Sequence, residues 1–307
     1  MTHSMLRALA ERCHDVRVQV FRRSTLPGQY QLQGVQVWPA QLSARTPSAL
    51  AADADVVVSH LEGVPYVKQA AAIGGVPVVA ICHNTHAATF EDASGVDLAI
   101  YNSRWMRAAA KDFYGAGSLS PPRRTLVVRP PVVAEDYATP PGDRVTLVNL
   151  NENKGAELFW ALAERMPDVQ FLGVRGSYGD QIVRDLPNVQ VLDPVPGTAM
   201  RDQVYARTRV LLAPSAYESW GRVAAEAAAS GIPTIAHPTP GLSECLGRAG
   251  RFVDRADVDS WEKALRQLVA EPSAWAKASA AARARSAALD PAAELARWCR
   301  AVEEVAG

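Results

Sequence analysis

The residues best suited to chemistry are two glutamates in the segment from Ala213 to Glu244. Glu218 lies in a short loop, and Glu226 follows eight residues later inside a predicted helix. Carboxylates accept paired hydrogen bonds from hydroxyl groups, so one could hold a sugar and the other a ribose. The free backbone N–H groups at the start of the helix would attract an anion such as a diphosphate. The spacing therefore indicates a site for a polyhydroxylated, anionic ligand.

A strand, a loop and a helix are predicted to position these glutamates. The strand covers Arg209 to Ser215, and the helix runs from about Arg222 to Ser230. Gly231 stops the helix and Pro233 lies just beyond it, which is the usual order at a helix C-terminus. The loop between strand and helix would then lie at the carboxyl end of a strand, where ligands of parallel sheets bind.

Each glutamate also has an ordinary structural explanation. Glu226 lies four residues after Arg222 and could form an i,i+4 ion pair on the helix surface. Glu218 could merely complement the positive end of the helix dipole. Both explanations stay open, although the glycine of the loop and the downstream sequence GLSE favour a binding site.

Short apolar runs alternate with Ala-rich stretches of helical length, which predicts βα units and parallel sheets. The runs are continuously apolar, as expected when helices cover both faces of a sheet. Those of the first half are Val16 to Phe21, Val35 to Pro39, Asp55 to His60, Val76 to His83, Val96 to Ser103 and Thr125 to Val132. Those of the second half are Val145 to Asn151, Val169 to Gly176, Val189 to Val195, Arg209 to Ser215, Ile232 to Pro238 and Gly250 to Asp254.

At 307 residues, the chain is long enough for two domains. The Pro-rich, polar segment 135–144 is the predicted linker. We predict an N-terminal domain over residues 1–138, a C-terminal ligand-binding domain over 139–285 and a closing helix over 286–307 that packs back on the N-terminal domain. The opening segment from Met1 to Val18 reads as a helix followed by a strand, so the N-terminal sheet is expected to lack its usual first strand.

Composition excludes several function classes. Formal net charge is zero, with 32 basic and 32 acidic residues, which argues against binding nucleic acid or a membrane surface through bulk charge. The four cysteines form no CxxC pair, so neither a zinc site nor a disulfide framework is predicted. Neither GxGxxG nor GxxxxGK[ST] occurs, which disfavours a dehydrogenase and a P-loop phosphotransferase.

Location and metal binding are also predicted from residue patterns. Neither a membrane span nor a signal peptide is recognisable, so we expect a cytoplasmic protein, and heavy use of Ala, Arg and Val is typical of a GC-rich bacterial genome. His83, His86, Glu91 and Asp92 are residue types that bind metals. They lie on a strand end and a loop rather than on one helix face, so no metal site is predicted.

Several segments together resemble the family 4 retaining glycosyltransferases of the GT-B fold. The specific match is the donor-site signature, formed by Glu218-x7-Glu226, the loop ESWG, the helix EAAASGIP and the later GLSE. Weaker matches extend over most of the chain and comprise NENKG (Asn151 to Gly155), PVVAICHNTH, YNSRWMRAA and VVRPPV. The resemblance implies an α/β fold of two facing, doubly wound, Rossmann-like domains with parallel sheets.

The resemblance also implies an activity and a role for each matched residue. The activity is transfer of a hexose from a nucleoside-diphosphate sugar to an acceptor hydroxyl, with retention and without a metal or another cofactor. Glu218 would contact the donor sugar, Glu226 the ribose diol and Lys154 the leaving diphosphate, while His83 would lie over the anomeric centre. Catalytic residues are thus His83 and Glu218, and the donor-binding residues are Asn149, Lys154, Arg175, Glu218, Ser219, Trp220, Gly221 and Glu226.

One position departs from the family pattern. An arginine usually stands six residues before the glycine of the Lys-Gly motif, and here that residue is Asn149. Arg175, at the end of the next strand, could supply the missing positive charge. A nucleotide-sugar-binding protein with impaired catalysis therefore remains an alternative.

Acceptor and nucleotide are not encoded in a recognisable motif. Candidate acceptors are a natural product, an envelope glycan or lipid, or a modified nucleic acid. A second enzyme class with this architecture, the non-hydrolysing nucleotide-sugar epimerases, would also bind a nucleoside diphosphate. The spacing of ESWG and Glu226 favours transfer over epimerisation.

Overall fold

The computed structural model describes residues 1–20, 28–39 and 47–307. These residues form two compact units, one comprising residues 1–131 and 291–307 and the other residues 132–290. The divisions predicted from the sequence, at 138/139 and 285/286, lie a few residues away. The chain thus enters the first unit twice, and each unit is described by itself below.

The first unit contains two sheets and six α-helices in its described residues. Its strands are β1 (Arg17–Gln19), β2 (Tyr30–Leu32), β3 (Val35–Trp38), β4 (Val57–His60), β5 (Val78–Cys82), β6 (Leu98–Tyr101) and β7 (Arg124–Val127). Its helices before the second unit are α1 (Thr2–Ala10), α2 (Pro47–Ala52), α3 (Gly63–Gly74), α4 (Ala87–Asp92) and α5 (Arg104–Ala116). Strands β4, β5, β6 and β7 form a parallel sheet in that order.

The second unit is described throughout and contains one sheet and seven α-helices. Its strands are β8 (Arg144–Val148), β9 (Phe171–Val174), β10 (Val189–Leu192), β11 (Thr208–Ala213), β12 (Thr234–Ala236) and β13 (Arg251–Phe252). Its helices are α6 (Ala134–Tyr137), α7 (Ala156–Arg165), α8 (Met200–Gln203), α9 (Arg222–Ala229), α10 (Pro240–Leu246), α11 (Val258–Ala270) and α12 (Pro272–Ala288). Helix α13 (Ala292–Ala306) returns to the first unit, where it contacts α1.

The strands explain why the sequence shows continuous apolar runs. In β5 all five residues are buried, with Val79 and Ile81 in one apolar cluster and Ala80 and Cys82 in another. Alternate residues of a strand point to opposite faces, so both faces of this sheet are covered. The predicted α/β fold with parallel sheets is confirmed.

The predicted strands all occur, with two differences. The run Thr125 to Val132 is a strand only to Val127, because Pro130 and Pro131 have no N–H to donate to a ladder. Strand β2 was not predicted and pairs antiparallel with β3. Gln33 and Gly34 both have positive φ, 49° and 84°, as in the two-residue turns that favour hairpins. The predicted strand residue Phe21 lies outside the described residues.

The opening helix and strand occur where they were predicted, as α1 and β1. Strand β1 pairs parallel with β3. In the described parts of the chain, no helix is long and apolar enough to cross a membrane.

Candidate functional site

The sheet of the second unit has a topological switch point between β8 and β11. Its strand order is β10-β9-β8-β11-β12-β13, and all five neighbouring pairs are parallel. The chain therefore builds outward from β8 in one direction and from β11 in the other. Loops that leave two such strands diverge and open a crevice at their carboxyl ends, where ligands of doubly wound sheets bind.

The two loops at this point are held against each other. Ala216 donates its backbone N–H to the carbonyl of Asn153 over 2.8 Å. Gly155 has a φ of 86°, and a Cβ there would lie 2.5 Å from Pro214 Cγ. Glycine is therefore required at position 155, both for its conformation and for the close approach of the β11 loop.

An ion pair joins the same two loops. Lys154 Nζ contacts Glu218 Oε1, and both side chains are 21% exposed. Ser215 Oγ donates to the same carboxylate oxygen over 3.1 Å. The structure thus brings together two predicted site residues that are separated by 64 positions. The predicted cation and carboxylate meet at the carboxyl ends of β8 and β11.

The loop that carries Glu218 is shaped by two glycines. Gly221 begins α9 in the left-handed region, with a φ of 112°. Gly241 lies in α10, and a Cβ there would lie 2.1 Å from the Glu218 carbonyl oxygen. Thr239 accepts the N–H of Leu242 and thereby fixes the start of α10. The backbone of α10 consequently packs directly against the loop at Glu218.

Trp220 is a structural residue of this loop as well as a predicted ligand. It is 2% exposed and packs with Ala225 and Cys245. The thiol of Cys245 lies 3.5 Å from the carbonyl oxygen of Gly221. The neighbouring Ser219 is half-buried and thus more accessible than the indole.

Glu226 is nearly buried, at 5% exposure, and both of its oxygens accept a hydrogen bond. Arg222 Nε donates to Oε1 and Tyr205 Oη donates to Oε2, each over 2.6 Å. Arg222 also donates to the hydroxyl of Tyr137 over 3.0 Å. The ordinary i,i+4 pair with Arg222 is therefore present, and it belongs to a larger network that includes Tyr205 and Tyr137.

Asn149 directly follows β8 and has a φ of 73°. Asparagine tolerates this left-handed conformation better than most residues. Its Oδ1 accepts from Gln181 Nε2 over 3.0 Å, and its side chain lies so close to Gly176 that a Cβ there would be 2.2 Å from Cγ. Asn149 thus ties the ends of β8 and β9 together.

Arg175 follows β9 and is the predicted substitute for a cation at position 149. Its Nη1 lies 3.6 Å from Asp193 Oδ1, and the two side chains are 45% and 89% exposed. An exposed pair of this kind contributes little to stability and can open at small cost. Arg175 is therefore available to an anion near the β9 end of the sheet.

His83 belongs to the first unit, directly after β5. Its ring lies edge-on to that of His60, with ring centroids 5.1 Å apart. Desolvation, followed by the charge of a protonated His60, lowers the pKa of His83 to about 4. The imidazole is consequently neutral at neutral pH. In the described ranges, no group of three or more His, Cys, Asp and Glu side chains could hold a metal ion.

Sequence reasoning missed three residues that shape this region: Tyr205, Gln181 and Gly241. Tyr205 and Gln181 lie outside the recognised motifs, and no local pattern marks them. Gly241 is part of the matched segment GLSE, but no helix was predicted there and no local pattern marks its contact with Glu218.

The sequence of the second unit resembles that of known proteins. Residues 145–271 match the family model for glycosyl transferases group 1. A D-inositol 3-phosphate glycosyltransferase of Mycolicibacterium smegmatis is 31% identical over 141 residues, covering 41% of this chain and 32% of the relative. One from Corynebacterium urealyticum is 38% identical over 85 residues, covering 27% and 20%. These alignments thus span between a fifth and a third of the curated relatives.

Solved structures resemble the whole chain. Sucrose-phosphate synthase from Thermosynechococcus elongatus superposes with a TM-score of 0.79 at 17% identity, covering 99% of this chain and 92% of that one. A trehalose-6-phosphate synthase gives a TM-score of 0.65 at 13% identity, covering 94% and 92%. At such identities the likeness establishes the fold, which is GT-B. Residues 145–271, which include the Lys154–Glu218 pair and Glu226, therefore match the family model for glycosyl transferases group 1, within a chain of the GT-B fold.

Proposed function

We propose that this protein is a retaining glycosyltransferase that moves a hexose from a nucleoside-diphosphate sugar to an acceptor hydroxyl without a bound metal. The observation that carries the proposal is the meeting of Lys154 and Glu218 beside the start of α9, at the switch point of the second unit. A cation, a carboxylate and the N–H groups at the start of a helix suit a diphosphate joined to a polyhydroxylated sugar.

Each residue then has a proposed role. Lys154 and the N–H groups of α9 stabilise the negative charge on the departing diphosphate, which is the largest electrostatic demand of the reaction. Glu218 accepts from hydroxyls of the transferred sugar, and Glu226 accepts from the ribose diol. Ser219 and Gly221 present backbone groups, Asn149 shapes the β8 loop, and Arg175 supplies a second cation. His83 is proposed as a catalytic residue on the resemblance of its strand.

The proposed step is balanced without a cofactor. The bond between the anomeric carbon and the diphosphate oxygen breaks, and the acceptor oxygen bonds to that carbon on the same face. The acceptor proton passes to an oxygen of the leaving diphosphate. Retention follows from attack on the face that the nucleotide leaves. The negative charge of the departing diphosphate is stabilised by protein groups rather than by a metal.

The acceptor is proposed only as a class. A natural product, an envelope glycan or lipid, and a modified nucleic acid remain candidates. The curated relatives are named D-inositol 3-phosphate glycosyltransferases, so a phosphorylated polyol joins the set to be tested.

A donor-binding experiment tests the proposal without an acceptor. UDP-, GDP-, ADP- and TDP-sugars are screened by thermal shift with wild type, Lys154→Met and, as a control, Lys263→Met, whose lysine is exposed on α11. Ligand binding to the folded state raises the melting temperature. We expect one nucleotide to stabilise wild type and the control by several degrees and Lys154→Met much less.

Turnover is then measured with that donor against the acceptor set, in the presence of EDTA. Release of nucleoside diphosphate together with an α-linked product from an α-linked donor supports retaining, metal-independent transfer. Exchange of the donor for its epimer would identify the epimerase instead. Binding of the donor without turnover on any acceptor would leave a nucleotide-sugar-binding protein, and absence of binding by every donor would refute the proposal.

A further inference from the structure

The carboxylate of Glu226 is held by side chains from three separate parts of the second unit. Arg222 lies one turn earlier on α9, Tyr205 lies just before β11, and Tyr137 ends α6. Tyr205 is fully buried and Tyr137 is 8% exposed, and their rings pack edge to face with centroids 6.1 Å apart. The network therefore includes two buried aromatic rings that pack on each other.

The hydroxyl of Tyr205 acts as a donor in this network. Burial, and secondarily the charge on Glu226, raise the pKa of Tyr205 well above its usual range. The hydroxyl thus keeps its proton at every physiological pH and points it at Glu226 Oε2 over 2.6 Å. A hydrogen bond to a charged acceptor is among the stronger ones in proteins.

Two donors leave the carboxylate with acceptor capacity to spare. An ionised carboxylate offers about four lone-pair sites. Arg222 uses one site on Oε1 and Tyr205 one on Oε2. Burial, and then the charge of Glu226, raise the pKa of Tyr137, whose hydroxyl also interacts with this carboxylate. Beside these three side chains the two oxygens retain acceptor capacity that neighbouring hydroxyl groups of a ligand can use.

We propose that Tyr205 is a positioning residue of the donor site, which fixes the Glu226 carboxylate in the orientation that accepts both hydroxyls of the nucleotide ribose. The inference rests on the ribose contact proposed for Glu226. Tyr205 itself touches no substrate, because its side chain is fully buried behind Glu226. Its effect is therefore confined to ligand groups that Glu226 binds.

The test compares a ribonucleotide with its deoxy forms. UDP, GDP, ADP and TDP are titrated by calorimetry against wild type, and the best ribonucleoside diphosphate is then compared with its 2′-deoxy and 3′-deoxy forms. Tyr205→Phe removes only the hydroxyl and keeps the ring that packs on Tyr137. Tyr114→Phe is the matched control, since it removes a buried tyrosine hydroxyl of the first unit, which donates to the Phe90 carbonyl.

We expect wild type to bind the ribonucleotide about tenfold more tightly than either deoxy form, the effect of one hydrogen bond to a charged group. Tyr205→Phe should lower affinity for the ribonucleotide by about three- to tenfold and lower affinity for each deoxy form less, because each deoxy form offers Glu226 only one hydroxyl. Tyr114→Phe should keep the wild-type ratio. In a Glu226→Ala background, Tyr205→Phe should not change the ratio of ribonucleotide to deoxynucleotide affinity any further, because the two residues act as one unit.

Other results overturn the inference in distinguishable ways. If Tyr205→Phe weakens ribonucleotide and deoxynucleotide equally, or changes neither, Tyr205 is a packing residue of the core. If wild type binds nucleotide but does not discriminate ribose from deoxyribose, the ribose contact of Glu226 fails and the role of Tyr205 with it. If wild type binds no nucleotide, the proposed function itself is wrong.

Discussion

Residues at the switch point of the second unit are held by close backbone contacts that leave little freedom. Glu218 owes its position to the helix beneath it, where the Gly241 Cα approaches the Glu218 carbonyl too closely for any side chain. Lys154 is fixed from the other side, where Asn151 accepts the Lys154 N–H over 2.9 Å. Preorganisation of this kind is what a binding site for a transition-state charge requires.

Replacing Gly241 with alanine should displace this loop. The new Cβ would lie 2.1 Å from the Glu218 carbonyl oxygen, so backbone must shift, and we expect a loss of about 1–3 kcal/mol in the free energy of unfolding. Urea unfolding measures the loss, and donor binding should weaken in parallel. Gly197→Ala is the control, since a Cβ at that position would meet nothing within 4 Å. Equal stability of both variants would contradict the prediction.

His83 should make stability depend on pH. Its pKa is about 4 in the folded protein and about 6.5 when unfolded, so the unfolded chain binds a proton first as pH falls. The contribution of the neutral His83 side chain to the free energy of unfolding is complete above pH 6.5 and is lost as pH falls toward 4. Between pH 8 and pH 5 this group alone should lower the free energy of unfolding by about 2 kcal/mol.

The measurement for His83 is urea unfolding of wild type and His83→Asn at several pH values. The variant loses the titrating group, so the difference in the free energy of unfolding between wild type and variant should narrow from pH 8 to pH 5. A constant difference over this range would show that His83 titrates normally in the folded protein.

At the scale of elements, the ends of neighbouring strands are tied together by single side chains. Gln181 accepts the N–H of Leu150 over 3.0 Å and that of Gly176 over 2.7 Å, and it donates to Asn149. These contacts join the loop after β8 to the loop after β9. The loops that carry the proposed donor-binding residues Asn149 and Arg175 are thereby tied together.

Gln181→Ala should loosen this junction. Two backbone N–H groups would lose their acceptor, and we expect a destabilisation of about 1–3 kcal/mol in urea unfolding. Hydrogen exchange should show lost protection at Leu150 and Gly176. The comparison is Gln203→Ala at the exposed end of α8, which should change stability by less than about 0.5 kcal/mol. Unchanged exchange at Leu150 would refute the role of Gln181.

At the scale of the whole molecule, the chain forms two compact units and returns to the first at its end. Trp298 of α13 is fully buried with Met5, Val79 and Ile81, and its Nε1 donates to the Met5 carbonyl over 2.8 Å. Glu294 of the same helix accepts the backbone N–H of Arg129 over 2.8 Å. The first unit is therefore complete only when residues far apart in the chain meet.

Substitutions in the two cores should act locally. Trp298→Ala should cost about 3–5 kcal/mol, and so should Trp261→Ala, which empties a fully buried site in the second unit. Hydrogen exchange should place the lost protection in β5 and β6 for the first variant and in β8 and β11 for the second. Loss spread evenly over both units in either variant would show that the cores unfold as one.

The sequence by itself determined the strands and the chemical residues. Apolar runs identify parallel strands because both faces of the sheet are covered, and the glutamate spacing marks the loop and helix of the candidate site. These signals are local, since they depend on residues within one turn, strand or motif. The hairpin strand β2 was missed because its alternating polar residues give no apolar run.

Only the tertiary structure decided which distant residues surround the site. Tyr205 meets Glu226 and Gln181 meets Asn149, although no motif connects the members of either pair. Gly241 and Glu218 belong to one signature, but only the structure shows their contact. Strand order brings them together, because β8 lies between β9 and β11 in the sheet while the chain visits them in a different sequence. Adjacency across a sheet is a property of that order, and the order follows from how all the helices and strands pack.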